Sequence, residues 1–75
     1  MELSDRIVID ANIHHGAPVI AGSRVPVALL VGSLAGGMTR SEISKEYNVA
    51  DDDISAALTY AAELIEETSV QRLAS

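Results

Sequence analysis

The chain has 75 residues, of which five are basic and eleven are acidic, and its formal net charge is -6. This sign excludes a protein whose main task is to coat nucleic acid, because such proteins neutralise phosphates with Lys and Arg. The chain contains no Cys, Phe or Trp, so its core is built from small and branched aliphatic side chains without disulfides.

A chain of this length supports a single domain over residues 1–75, because it has apolar surface for one core only. We expect an extended arm over 6–25, a helical core over 26–67 and a flexible tail over 68–75. So thin a core predicts stabilisation by association, as a homodimer or as a hetero-oligomer with a partner protein. No apolar run approaches the roughly 18 residues that span a bilayer, so we expect no membrane association and a cytoplasmic protein.

Two β-branched runs in the N-terminal arm predict short strands. Residues 6–10 read Arg-Ile-Val-Ile-Asp, and residues 18–21 read Pro-Val-Ile-Ala before a Gly-Ser-Arg turn. The connection between the runs is longer than a tight hairpin loop. Either a wide hairpin or two separate extended segments lying on a helical body therefore fits the arm.

Two helices are predicted directly after the arm. Pro26 at a first helical position and Gly36 past the end predict a helix over about 26–35, and its lack of charge implies burial on more than one side. The second helix begins at Thr39, which is followed three residues later by Glu42. This pair predicts a capping box, in which both side chains satisfy backbone N–H groups at the helix start.

The residues after the second helix predict a sharp turn and a long third helix. Asn48 tolerates the left-handed backbone that ends a helix. The third helix opens on three aspartates at 51–53, whose charge is favourable at a helix N-terminus. Its apolar residues then recur every three or four positions: Ile54, Ala57, Leu58, Ala61, Leu64 and Ile65.

These elements predict a mainly α fold, a winged-helix-like, three-helix helix-turn-helix core with a short extended or β-hairpin N-terminal segment. A plain helical hairpin without a nucleic-acid role is the alternative. Charge argues against strong DNA binding, because residues 39–68 contain two basic and eight acidic side chains. Any DNA affinity of the isolated domain is therefore expected to be weak and steeply dependent on salt.

Residues 15–27 read HGAPVIAGSRVPV, a stretch whose two Gly, two Pro and one Arg direct the chain through two bends. Together with the strand run before it and the helix-turn-helix after it, this stretch closely resembles family 433 of the prokaryotic domains of unknown function, over residues 6 to about 65. Ala17 stands where a Lys is common in that family, and Ala11 where a Pro is common.

The resemblance implies an antitoxin of a type II toxin–antitoxin pair, encoded beside a PIN-like ribonuclease toxin. Such a protein is expected to bind the toxin directly and to repress its own operon by binding operator DNA through the helix-turn-helix. The run of aspartates at 51–53 makes the DNA-binding role conditional for this sequence. A protein-interaction adaptor or a transcriptional regulator without a toxin partner is the alternative function.

Two sets of side chains are candidates for binding. The candidates for DNA contact are Arg6, Arg24, Arg40, Lys45, Ser55 and Thr59. For Arg24 the alternative is an internal pair with Asp10 or with a helix C-terminal carbonyl. The candidates for partner contact lie in the tail, where Arg72 would bind the acidic, metal-binding carboxylates of a toxin beside Val70 and Leu73. Solvated disorder is the alternative for this tail.

No catalytic or cofactor motif emerges from the chain. It contains no nucleophile elbow, no P-loop and no paired carboxylates suited to acid–base work. The adjacent side chains of His14 and His15 diverge, and no third ligand lies at a useful spacing for a metal. We therefore expect no enzyme activity, no metal and no cofactor.

Overall fold

Three helices follow a short antiparallel strand pair in this computed structural model, which describes residues 6–74, with the backbone alone at 68–74. The elements in chain order are β1 (Ile7–Val8), β2 (Val19–Ile20), α1 (Val27–Ala35), α2 (Arg40–Tyr47) and α3 (Asp51–Ala74). A short 3-10 helix, His14–Gly16, lies between the strands. The predicted mainly α fold with a short N-terminal strand segment is confirmed.

The two strands pair with each other and lie on the helical body. Ile7 is opposite Ile20 in the antiparallel register, and both side chains are buried. Beyond β2 the chain turns back on itself, so that Ile20 N donates to Val25 O at 2.8 Å. Of the two arrangements that fit the arm, the wide hairpin is therefore the one observed.

The first helix begins one residue later than the sequence predicts. Pro26 is extended, with φ -62° and ψ 137°, and acts as the N-cap, while its carbonyl accepts from Leu29 N at 3.1 Å. Val27 and Leu30 are buried, whereas the Leu29 side chain is 41% exposed. The expectation of burial on more than one side is thus wrong, because the core reaches one face of α1 only.

The predicted capping box and turn are both present. Thr39 Oγ1 accepts from Glu42 N at 3.1 Å, and Glu42 Oε1 accepts from Thr39 N at 2.8 Å. Asn48 has φ 55° and ψ 50°, the left-handed backbone expected at the end of α2. Ser44 Oγ then donates to Val49 O at 2.6 Å, so the turn is held to the helix that precedes it.

One apolar cluster joins the strand pair to all three helices. Its buried members are Ile7, Ile20, Val27, Leu30, Ile43, Val49, Ile54 and Ala57. Every buried residue of α3 in this cluster lies in the first two turns of that helix. The rest of α3 extends beyond the core.

The third helix is the longest element, with 24 residues. At about 1.5 Å per residue it is about 36 Å long, whereas α1 and α2 are each about 12 to 14 Å long. It runs through residues 68–74, where the sequence predicts a flexible tail, and the backbone of that segment is helical. Within residues 6–74, none of the helices combines the length and apolarity needed to cross a bilayer.

Candidate functional site

The first turn of α3 brings the aspartates at 51–53, here called the α3 head, together with a predicted DNA-contacting residue from the arm. Arg6 Nη1 donates to Asp53 Oδ1 at 2.8 Å, and Arg6 Nη2 lies 3.4 Å from Asp52 Oδ2. Asp53 Oδ2 also accepts from Ala50 N at 2.9 Å. Asp53 therefore caps the helix and binds the arm at the same time.

The strand pair places Arg6 at the α3 head. The carbonyl of Arg6 accepts from Ala21 N at 2.7 Å, and the next residue, Ile7, pairs with Ile20. The strand pair thereby fixes the backbone of Arg6, whose side chain contacts Asp53, 47 residues further along the chain. Fixing one partner lowers the entropy lost when the ion pair forms.

A second predicted DNA contact, Arg40 at the start of α2, binds the α3 head from the other side. Arg40 Nε donates to Asp51 Oδ1 at 2.7 Å, and Arg40 Nη2 donates to Asp51 O at 3.0 Å. The same Nη2 donates to Ser55 Oγ at 2.6 Å. One guanidinium thus joins the first turns of both helices of the helix-turn-helix.

The hydrogen bond between Arg40 and Asp51 shifts the pKa of both side chains. The hydrogen bond from Arg40 lowers the pKa of the Asp51 carboxyl below its ordinary value. The same bond raises the pKa of Arg40 above its ordinary value. Both groups are charged at neutral pH with or without these shifts, and the opposite charges of the pair present little net charge to an approaching phosphate.

Three of the six predicted DNA contacts are consequently engaged within the chain. Arg6, Arg40 and Ser55 each donate to or accept from a residue of the helix-turn-helix or the arm. A DNA phosphate at the α3 head would have to compete with carboxylates that already hold both guanidinium groups. The two helices α2 and α3 thus form a helix-turn-helix, but the surface at the α3 head lacks the free cations that usually contact DNA there.

The other three predicted DNA contacts are exposed. Arg24 stands at φ 60° in the turn after β2. Its side chain makes no ion pair or hydrogen bond with the residues 6–67, whose side chains the structure describes. Neither the alternative pair with Asp10 nor one with a helix C-terminal carbonyl is formed among these residues, and the Asp10 carboxylate accepts from Asn12 N at 2.8 Å. Lys45 and Thr59 lie exposed on α2 and α3.

A second surface, formed by part of the apolar stripe of α3, lies beyond the second turn of that helix. Leu58, Leu64 and Ile65, here called the α3 docking face, are 36%, 50% and 66% exposed. Tyr60 is the last described α3 side chain that packs against the core. Three exposed carboxylates accompany this face: Glu63, Glu66 and Glu67.

The predicted partner contacts belong to the C-terminal end of α3. The backbone of residues 68–74 is helical, whereas the side chains of Val70, Arg72 and Leu73 lie outside the described residues. Among the described side chains there is no group of three His, Cys, Asp or Glu that could hold a metal ion.

Comparison with known proteins gives one match. A family model described as "Protein of unknown function (DUF433)" matches residues 7–61, well over half of the chain. The matched segment runs from β1 into α3 and ends before Leu64. No curated protein and no solved structure matches the chain.

Proposed function

We propose that this chain, which belongs to the DUF433 family, is the antitoxin of a type II toxin–antitoxin pair. It neutralises a PIN-like ribonuclease by binding it directly, and it acts in the cytoplasm as a dimer or within the complex with the toxin. It has no catalytic activity of its own. In this proposal partner binding comes first, and DNA binding depends on it.

The observation that carries the proposal is the surface of α3. Six acidic residues lie on this helix, and no Lys or Arg occurs between Lys45 and Arg72. Beside these carboxylates, Ile65 and Leu58 expose apolar side chains at 66% and 36%. An acidic helix with an exposed apolar face suits a basic protein surface such as that of an RNA-binding enzyme.

The pairing at the α3 head supports the conditional role in DNA binding. Arg6 and Arg40 are held by the aspartates at 51–53, which leaves Arg24 and Lys45 as exposed cations of the helix-turn-helix region. Two contacts give weak binding. Because the salt dependence grows with the number of phosphate contacts, it is then shallower than the steep one expected from composition. A basic ribonuclease bound to α3 would add the missing positive charge.

The experiment pairs the purified protein with the ribonuclease encoded beside its gene. We expect a stable complex in size-exclusion chromatography and calorimetry. We also expect a gel shift of the upstream DNA at low salt that becomes much stronger when the ribonuclease is added. Failure of the two proteins to associate at micromolar concentration would contradict the antitoxin role.

The same experiment tests the alternative function. A transcriptional regulator without a toxin partner would shift the DNA equally well alone and would not bind the ribonuclease. A protein-interaction adaptor would shift no DNA in either form. The full internal pairing of Arg6 and Arg40 favours the adaptor over the stand-alone regulator among these two.

A further inference from the structure

The α3 docking face continues the stripe of α3 that packs into the core. Ile54 and Ala57 are fully buried on this stripe, and Ile65 follows at helical spacing with 66% of its side chain exposed. Leu58 and Ile65 are seven residues apart, so they lie within about 20° of each other around the helix axis. The same side of α3 is thus covered by the core at one end and open at the other.

The small side chains of Ala61 and Ala62 lie between Leu58 and Ile65 along the helix. Because alanine is small, these two positions add little bulk between the two larger apolar side chains. Small residues let another surface come near the helix backbone. A helix face of this composition is suited to binding in an apolar groove.

The charge beside this face differs from the charge at the α3 head. Each of the three aspartates of the α3 head forms an ion pair with either Arg6 or Arg40. Glu63, Glu66 and Glu67 have no cation within 4.0 Å among the described residues. At about 100° per residue, Glu67 borders Leu64 on one side of the face and Glu66 lies toward the other side.

The unpaired glutamates indicate which kind of surface can bind to the α3 docking face. A second copy of α3 would bring two sets of three unmatched carboxylates close together, which is unfavourable. A groove with an apolar floor and rims of Lys and Arg would cover the whole α3 docking face. One rim would then reach Glu67 beside Leu64, and the other would reach Glu66. A cleft that binds the RNA backbone has such rims, because phosphate binding requires clustered cations.

We infer that the α3 docking face, with Glu66 and Glu67 at its edges, occupies the RNA-binding groove of the ribonuclease and excludes RNA from it. This inference rests on the proposed function and names the surface that performs it. The face and its flanking glutamates lie within residues 58–67, N-terminal to Arg72. The contact therefore places carboxylates on the cations of the groove.

The test measures binding of variants to the ribonuclease by calorimetry and by competition with a fluorescent single-stranded RNA. The double variant Leu58→Gln/Ile65→Gln should bind about tenfold more weakly, because two apolar side chains lose their burial. Leu29→Gln is the matched control, since Leu29 is also an exposed leucine but lies on α1. It should bind as the wild type does.

The contribution of charge to ribonuclease binding is tested separately with two charge-reversal variants. Glu67→Lys should weaken binding and flatten its dependence on salt, because it places a cation against the cationic rim. Glu46→Lys makes the same change on the exposed surface of α2 and should have little effect. Thermal unfolding of each variant shows whether the fold is retained.

Several results would overturn the inference. One is wild-type affinity in the folded Leu58→Gln/Ile65→Gln variant, and another is an equal loss in Leu29→Gln. A third is simultaneous binding of the protein and the RNA to the ribonuclease. A fourth is conversion of a dimer to a monomer by the double variant without any change in ribonuclease affinity, which would identify a self-association surface. In each case the wild-type complex still forms, whereas failure of the proposed function would show no complex at all.

Discussion

Arg40 Nε lies 2.7 Å from Asp51 Oδ1, and this contact joins the first turn of α2 to the first turn of α3. The same guanidinium reaches Ser55 one turn further along α3. The contact holds the two helices of the helix-turn-helix together across the Asn48 turn. It also occupies donor groups that would otherwise be available to a DNA phosphate.

We expect Asp51→Asn to increase non-specific DNA affinity at low salt. The substitution removes the charge that holds Arg40, so the guanidinium can bind a phosphate. The slope of log affinity against log salt should steepen by about 0.9, the value for one added phosphate contact. Fluorescence anisotropy with a short duplex measures both quantities.

The control for this experiment is Glu46→Gln, which removes one negative charge from the exposed surface of α2. It should leave the salt slope unchanged. Equal slopes for the two variants would show that only net charge matters and that the Arg40 contact does not restrict DNA binding.

Thr39→Ala should destabilise the protein by about 1 kcal/mol, the usual effect of losing an N-cap. Thr39 Oγ1 accepts from Glu42 N at 3.1 Å, and alanine leaves that N–H to water. Urea unfolding followed by circular dichroism gives the free energy of unfolding. Thr59→Ala, at an exposed position within α3, should cause no loss, and a similar loss at both sites would argue against a role for the cap.

Stability should fall on acidification below about pH 4, in part because of the capping box. The backbone N–H of Thr39, and then its hydroxyl, hold the pKa of Glu42 below its ordinary value. The unfolded chain therefore binds a proton to Glu42 at a higher pH than the folded chain does. The stabilisation is complete above the unfolded pKa and is lost as the pH falls through the folded pKa.

Urea unfolding at pH 6 and pH 3 measures this dependence. Glu42→Gln should lose less stability between these two pH values than the wild type, because glutamine still accepts from Thr39 N but does not titrate. An unchanged difference between the two pH values in this variant would place the acid sensitivity elsewhere in the chain.

Ile43→Val should reduce the free energy of unfolding by about 1 kcal/mol, because it opens space in a tightly packed core. Ile43 is fully buried and contacts the cluster that joins α2 to the strand pair. Ile65→Val is the same substitution on the α3 docking face and should change stability by less than about 0.5 kcal/mol. Equal losses would mean that Ile65 is buried in solution, for example by self-association.

Local features of the fold were predictable from the sequence because they depend on neighbouring residues. Thr39 and Glu42 lie three residues apart, and the left-handed turn at Asn48 reflects the properties of that one residue. The β-branched runs indicated the strands for the same reason. The start of α1 was misplaced by one residue, because Pro26 fits either the N-cap or the first helical position.

The candidate site was less predictable, because it depends on contacts between distant residues. Arg6 and Asp53 are 47 positions apart, and nothing in their local sequence indicates that they meet. The periodicity of α3 identified its apolar side correctly. It does not show where the core ends, since that depends on the shorter lengths of α1 and α2, and so the exposure of Ile65 is visible only in the structure.

The most direct test of the antitoxin proposal is a titration of the ribonuclease with this protein while RNA cleavage is followed. The proposal predicts that cleavage falls linearly with added protein and stops near a one-to-one ratio, or at the ratio of a defined hetero-oligomer. Cleavage that stays at its initial rate with the folded protein in tenfold excess would contradict it.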